Sequence, residues 1–402
     1  MKENSVKKIS FRSLFLGPVP LFVLAHFFHH LLGALPTPLL PMIRSDFALD
    51  YTQSGWVISA FSLSYGISQL PGGWLTDLLS PRTLIIASIC GVALAGIFVG
   101  LSPTYIMLII FLVLMGLMGG GYHPASAPLI SASVEPGNRG QALGLHTIGG
   151  GASFFLSPLI AATIAAVWGW RGSFITLAVI AMLFGLVFYT FLGRLTNTSK
   201  KAQPTKVSTV SQISETSGRV RRLILVIILS TFVQATTVSS IAFIPLYLVD
   251  HFGIGKEAAA ALTAAIFSAG LWAGPLGGYI SDRLGRVPVI LAMSLIAGPI
   301  IFLLNVVPYG LGFGVVLILI GITIYGRMPV TEAYIVSYAR ERRRSSILGI
   351  YYFGIQEGAG VLTPILGFLI DRFGFYNSFT IAGVAAFTVS LAGSLWLWGS
   401  RD

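Results

Sequence analysis

The residues best able to do chemistry in this 402-residue chain are few, and each interrupts an apolar run. Arg327 stands in ITIYGRMPVTEAY, Glu332 follows five residues later, and Glu357 lies in YYFGIQEGAG. A guanidinium can hold an anionic group of a ligand through its fork of N–H donors, and a carboxyl out of water can exchange a proton. The plainer alternative is a static buried ion pair that fixes helix packing. Histidines form the second set: His26, His29 and His30, with His26 and His30 at i, i+4 on one helix face, then His123 before Pro124, and His146. Such imidazoles can relay protons or bond a ligand, or sit neutral against backbone carbonyls. The reading is that Arg327, His30 and His123 bind a ligand, and that Glu357, Glu332 and His26 couple protons. Tyr122, Gln69, Gln234, Tyr325, Tyr351, Tyr352 and Gln356 are the remaining polar candidates for a cavity lining. No cysteine or carboxylate accompanies the histidines in sequence, so neither a metal nor a cofactor is expected.

What must position these groups is apolar helix. Of all residues 55% are hydrophobic and only 10% charged, against about 25% charged in soluble domains. Twelve stretches are long and apolar enough to cross a bilayer: roughly 16–40, 54–75, 83–101, 104–130, 142–167, 172–192, 222–249, 259–280, 288–306, 309–337, 346–370 and 377–398. The expected fold is an all-α polytopic membrane protein, with an N-terminal bundle over 1–193, a polar linker over 194–221 and a C-terminal bundle over 222–402. Trp168, Trp170, Trp396 and Trp398 are assigned to the membrane interface. The net charge of +11 would raise the question of nucleic acid in a soluble chain. Here 20 of the 25 basic residues fall in the tails, the even-numbered connections and the linker, while Arg44, Arg171, Lys256 and Arg372 face the other side. The positive-inside rule then places both termini in the cytoplasm, and the short tails suit a prokaryotic cytoplasmic membrane.

One internal offset recurs. GGWLTD at Gly72–Asp77 returns as GGYISD at Gly277–Asp282, GYHPASA at Gly121 as GRMPVTE at Gly326, NRGQALGL at Asn138 as RRSSILGI at Arg343, and GWRGSF at Gly169 as GFYNSF at Gly374. All are 205 residues apart, for example 282 − 77, so two homologous six-helix units are joined head to tail.

The connections after the second and eighth stretches resemble the G-x-L-a-D-R-x-G-R-R signature of the major facilitator superfamily. Gly278, Ile280, Asp282, Arg283, Gly285 and Arg286 fill the second copy; the first keeps Gly73, Leu75, Asp77 and Arg82 and departs at Leu78, Ser80 and Pro81. The resemblance implies two pseudo-symmetric six-helix bundles around a midplane site, and a gating role for Gly73, Asp77, Arg82, Gly278, Asp282, Arg283, Gly285 and Arg286, which would latch the two halves at their cytoplasmic ends. HFFHHLLGALPTPLLP and GGGYHPASA look like the fosmidomycin-resistance branch, which implies proton-driven export of drugs. The fifth stretch departs from the drug–proton antiporter signature: Ser157-Pro158 is followed by Ala161 and Ala162 where glycines are usual.

No phosphate-binding Gly-rich loop followed by Lys-Ser or Lys-Thr occurs, and no nucleophile or metal-ligand motif, so a nucleotide-driven pump, an embedded enzyme and a sensor with an output domain are all disfavoured. The expected function is secondary transport by alternating access: proton-coupled export of a drug or organic anion, with a proton-linked importer of a small organic anion as the alternative. The expected partners are a small solute, protons and lipid, with no nucleic acid, and the transporter is expected to act as a monomer.

Overall fold

A computed structural model describes residues 17–135, 138–198, 217–338 and 344–398. Most of the linker, Arg340, the side chains of Asp77 and Arg344, and the surroundings of Gly73 lie outside the described residues.

Local chemistry sets the helix ends. The chain enters α1 (Val19–Leu31) behind Pro18 and breaks before Pro36, which opens α2 (Pro36–Phe47). Asp50 starts α3 (Tyr51–Leu78) with a reciprocal capping box to Gln53, Ser80 caps α4 (Pro81–Leu101), and Thr104 caps α5 (Tyr105–Gly119). α6 (Tyr122–Ala132) continues after a break at the glycine run 119–121. α7 (Arg139–Thr198) is two helices folded at Gly169, whose φ of 67° lies in the left-handed region that glycine enters freely. The second unit repeats the plan: α8 (Ser217–Asp250), α9 (Lys256–Ser268), a 3₁₀ turn (Ala269–Leu271), α10 (Ala273–Leu284), α11 (Arg286–Val306), α12 (Leu311–Tyr325), α13 (Met328–Tyr338) and α14 (Arg344–Trp398). α14 folds at Gly374 with φ 73°, and Gly374 is the residue 205 positions after Gly169.

Nine helical stretches among the described residues are long and apolar enough to cross a membrane, and α7 and α14 each supply two crossings by their glycine fold. α3 is the twelfth crossing. It is more polar than the others because it carries Ser54, Ser59, Ser62, Ser64 and Ser68, and it packs between α5 on one side and α14 on the other while Trp56, Leu70 and Trp74 stay exposed. The first crossing also runs farther than 40, to Phe47.

The two halves meet along α3 with α14, α7 with α9, and α2 with α8. Their shared hydrogen bonds gather at the end remote from the termini. The Asp371 carboxylate accepts from the backbone N–H groups of Tyr51 and Thr52, each at 2.9 Å, and from the Thr52 hydroxyl at 2.6 Å, so a residue of one half caps a helix of the other. Arg44 pairs with Asp250 at 2.8 Å, and the Tyr51 hydroxyl donates to the same carboxylate at 2.7 Å. Trp170 is buried rather than interfacial: its Nε1 donates to Asp46 at 3.1 Å, because Arg171 and Asp46 draw the loop against α2.

Candidate functional site

Two polar clusters lie in the apolar interior, one in each half. In the first, the break at Gly119–Gly121 sends Tyr122 and His123 inward from α6 to meet the histidines of α1. The Tyr122 ring stacks on His29 at 4.2 Å between centroids, and His29 Nε2 reaches the Tyr65 hydroxyl at 3.3 Å. His26 stacks on His146 at 4.2 Å and lies 4.9 Å from His30 and 5.2 Å from His123. Backbone carbonyls hold two of these rings: His26 Nδ1 donates to the His146 carbonyl at 2.8 Å, and His146 Nδ1 to the Phe22 carbonyl at 3.0 Å. Both Nε2 atoms are buried without a hydrogen-bond partner, as are His29 Nδ1 and the Tyr122 hydroxyl.

In the second cluster the break after Tyr325 turns Arg327 into the bundle, where it is 1% exposed. Its guanidinium donates to Gln234 Oε1 at 2.7 Å and to the Ser294 hydroxyl at 3.3 Å, while Nε is left without a partner. No acid neutralises it: the ion pairs among the described residues are Arg44–Asp250 and Arg171–Asp46, so the static buried pair with Glu332 or Glu357 is not what the protein builds. The two clusters are repeat-related. Gln234 lies 205 residues after His29 and Arg327 lies 205 after Tyr122, so the same two positions hold an imidazole stacked on a phenol in one half and an amide bonded to a guanidinium in the other.

Between the clusters runs the seam of the halves. Glu357 sits there: its Oε1 has no hydrogen-bond partner, and it occupies the space a β-carbon on Gly66 of α3 would need. Gln356 packs against the same glycine. Glu332 is half-buried on α13, facing Tyr352 of α14. The Tyr325 ring lies against Gly270 of the 3₁₀ turn, and Phe154 and Phe267 meet across the seam at 5.6 Å. Gln69 is half-buried on α3, and no contact described here joins it to either cluster.

The described arginines of the signature loops bond within their own halves. Arg82 donates to the Tyr189 carbonyl at 2.8 Å and covers the Tyr189 ring, and Arg286 donates to the Ala333 carbonyl and to Ser337 at 2.7 Å, so each ties its own half together. Arg283 lies over Tyr279 at 4.3 Å, no cross-half contact reaches Asp282 or Gly278 among the described residues, and Gly285 makes the turn into α11 with φ 90°. Among the described residues the hydrogen bonds between halves lie at the other end and, from Ser59 to the Gly360 carbonyl at 2.6 Å, along the seam. Sequence reasoning missed Ser294, Tyr65, Asp250 and Asp371. All are ordinary residues until folding supplies their partners from distant helices.

The fold defines an all-α polytopic membrane protein of two related bundles. The sequence profile of the Major Facilitator Superfamily matches residues 22–326 and 227–402, and the chain belongs to that family. It is similar to a probable sulfoacetate transporter of Cupriavidus necator, 25% identical over 368 residues covering 85% of this chain and 84% of the relative. It is also similar to the fosmidomycin resistance protein of Escherichia coli, 24% identical over 358 residues with 87% and 85% covered. Among solved structures, an inward-facing, occupied bacterial homolog of the human lysosomal transporter Spinster superposes with a TM-score of 0.76 at 15% identity, covering 94% and 95% of the two chains. The family's members here are transporters, and this chain is a multi-pass membrane transporter of small solutes rather than an enzyme.

Proposed function

We propose that the chain transports a small organic anion, held on Arg327, with Glu357 exchanging the coupled proton. The observation that carries this reading is a fully buried guanidinium with no acidic partner. A cation at membrane depth costs about 2.5–3.5 kcal/mol on the insertion scale, and a site that leaves it unneutralised is built to receive negative charge. A relative named for sulfoacetate supports the same class. Gln234 and Ser294 hold the guanidinium in place while Nε stays free for a ligand oxygen. Tyr325 and Tyr122 supply further polar lining. Glu357 lies where α3 and α14 pack together, so its protonation would bear directly on how the halves fit, and Glu332 would relay the proton toward the termini. Both termini are read as cytoplasmic, which makes the closed end the outer one and this state inward-facing, and the transporter acts as a monomer.

The test is uptake into proteoliposomes loaded with protein of one orientation. A pH gradient should drive labelled sulfoacetate in wild type, while Glu357→Gln should keep exchange of anion for anion and lose the gradient-driven component. Unaltered gradient-driven uptake in Glu357→Gln would remove the proton role from that residue.

A further inference from the structure

We propose that His26, His30 and His123 form a binding site for a divalent first-row transition-metal ion, with zinc as its probe. The sequence offers no carboxylate or thiolate here, but folding supplies a third imidazole: α6 delivers His123 beside the i, i+4 pair of α1. One ligand nitrogen from each of the three lies within 4.8 Å of the others. A tetrahedral ion with metal–nitrogen bonds of about 2.0–2.1 Å needs these nitrogens about 3.4 Å apart, a contraction that small side-chain rotations supply.

Three features make this more than a chance gathering of rings. The His146 carbonyl accepts from His26 Nδ1, which places the proton there and leaves Nε2 as a bare lone pair, the orienting bond a metal-bound histidine ordinarily makes. That Nε2 is buried and has no hydrogen-bond partner among the described residues, so its lone pair is available to a ligand. The ring is also seated by Gly150, where a β-carbon would stand 2.7 Å from His26 Cε1. Three neutral imidazoles leave the full charge of the ion in place and a fourth position free for water or an exogenous anion, and they favour nitrogen-seeking metals over calcium or magnesium. The ion would join α1 to α6, and through His146 to α7, inside the N-terminal half. The proposal stands independently of Arg327, which lies in the other half.

The experiment uses full-length, tag-free protein stripped with chelator. Calorimetric titration with zinc should show one site per chain, weakened at least about tenfold in His30→Ala and in His123→Ala and unchanged in His251→Ala, whose ring stacks on Tyr247 instead. Cobalt added to wild type should develop the intense visible bands of a four-coordinate ion, a readout that needs no variant to fold. A cobalt spectrum no different from that of the hydrated ion, or zinc affinity unchanged in the His30→Ala/His123→Ala double variant, would overturn the proposal.

Discussion

A guanidinium withdrawn from water keeps its charge, so at Arg327 the surroundings must either neutralise it or leave it waiting for an anion. Gln234 and Ser294 bond it without neutralising it. Hydrogen bonds to charged groups contribute about 1.5–3 kcal/mol, so Arg327→Gln should weaken anion binding by roughly ten- to a hundredfold, measured by equilibrium binding to the purified protein. Arg327→Lys should recover only part of this, because a point charge cannot reproduce the fork of donors. At Gly55 of α3 a methyl group would stand 2.7 Å from the backbone of Pro364 in the other half, which cannot turn aside as a side chain can, so Gly55→Ala should destabilise the protein by about 1–3 kcal/mol, read as a lowered melting temperature. The charged candidates were legible in the sequence because ionisable groups in apolar runs are rare. Their relations were not: nothing in a string of residues shows that Arg327 meets Gln234 rather than Glu332, since 93 residues separate the first pair.

At the scale of elements, broken helices do the positioning. α5–α6 and α12–α13 each interrupt at glycine just before the residue that turns inward, and the two breaks are repeat-related. The glycines and the offset of 205 were visible beforehand; the breaks were not, because each crossing is apolar on both sides of its interruption. α3 was assigned as a crossing from its length although its serines dilute it, and its place between α5 and α14 explains that composition. Its N-terminus is capped from the other half by Asp371. Caps of this kind contribute about 1 kcal/mol, so Asp371→Asn should raise the population open at this end roughly fivefold. Spin labels on Leu101 and Leu311, both exposed and in opposite halves, should then report longer distances in the variant than in wild type.

The whole molecule reads as two copies of one unit packed along a seam. Bonds at the end remote from the termini hold this state, while the signature arginines at the other end bond within their own halves. The duplication was legible because four motifs kept one register. The conformation was not, because under the proposed alternating access one sequence would encode at least two arrangements of the same helices. Thr52 and Asp371, joined as cysteines by a short reducible linker in a Cys90→Ser background, should hold this arrangement and block transport until the linker is cleaved.

The measurement closest to the central claim is a thermal-shift series on purified wild type and Arg327→Gln, with organic anions such as sulfoacetate set against lipophilic cations. The account expects anions to raise the melting temperature of wild type, cations to leave it unchanged, and the anion shift to vanish in the variant. A shift produced by cations, or an anion shift that survives Arg327→Gln, would contradict it and leave Arg327 a structural residue.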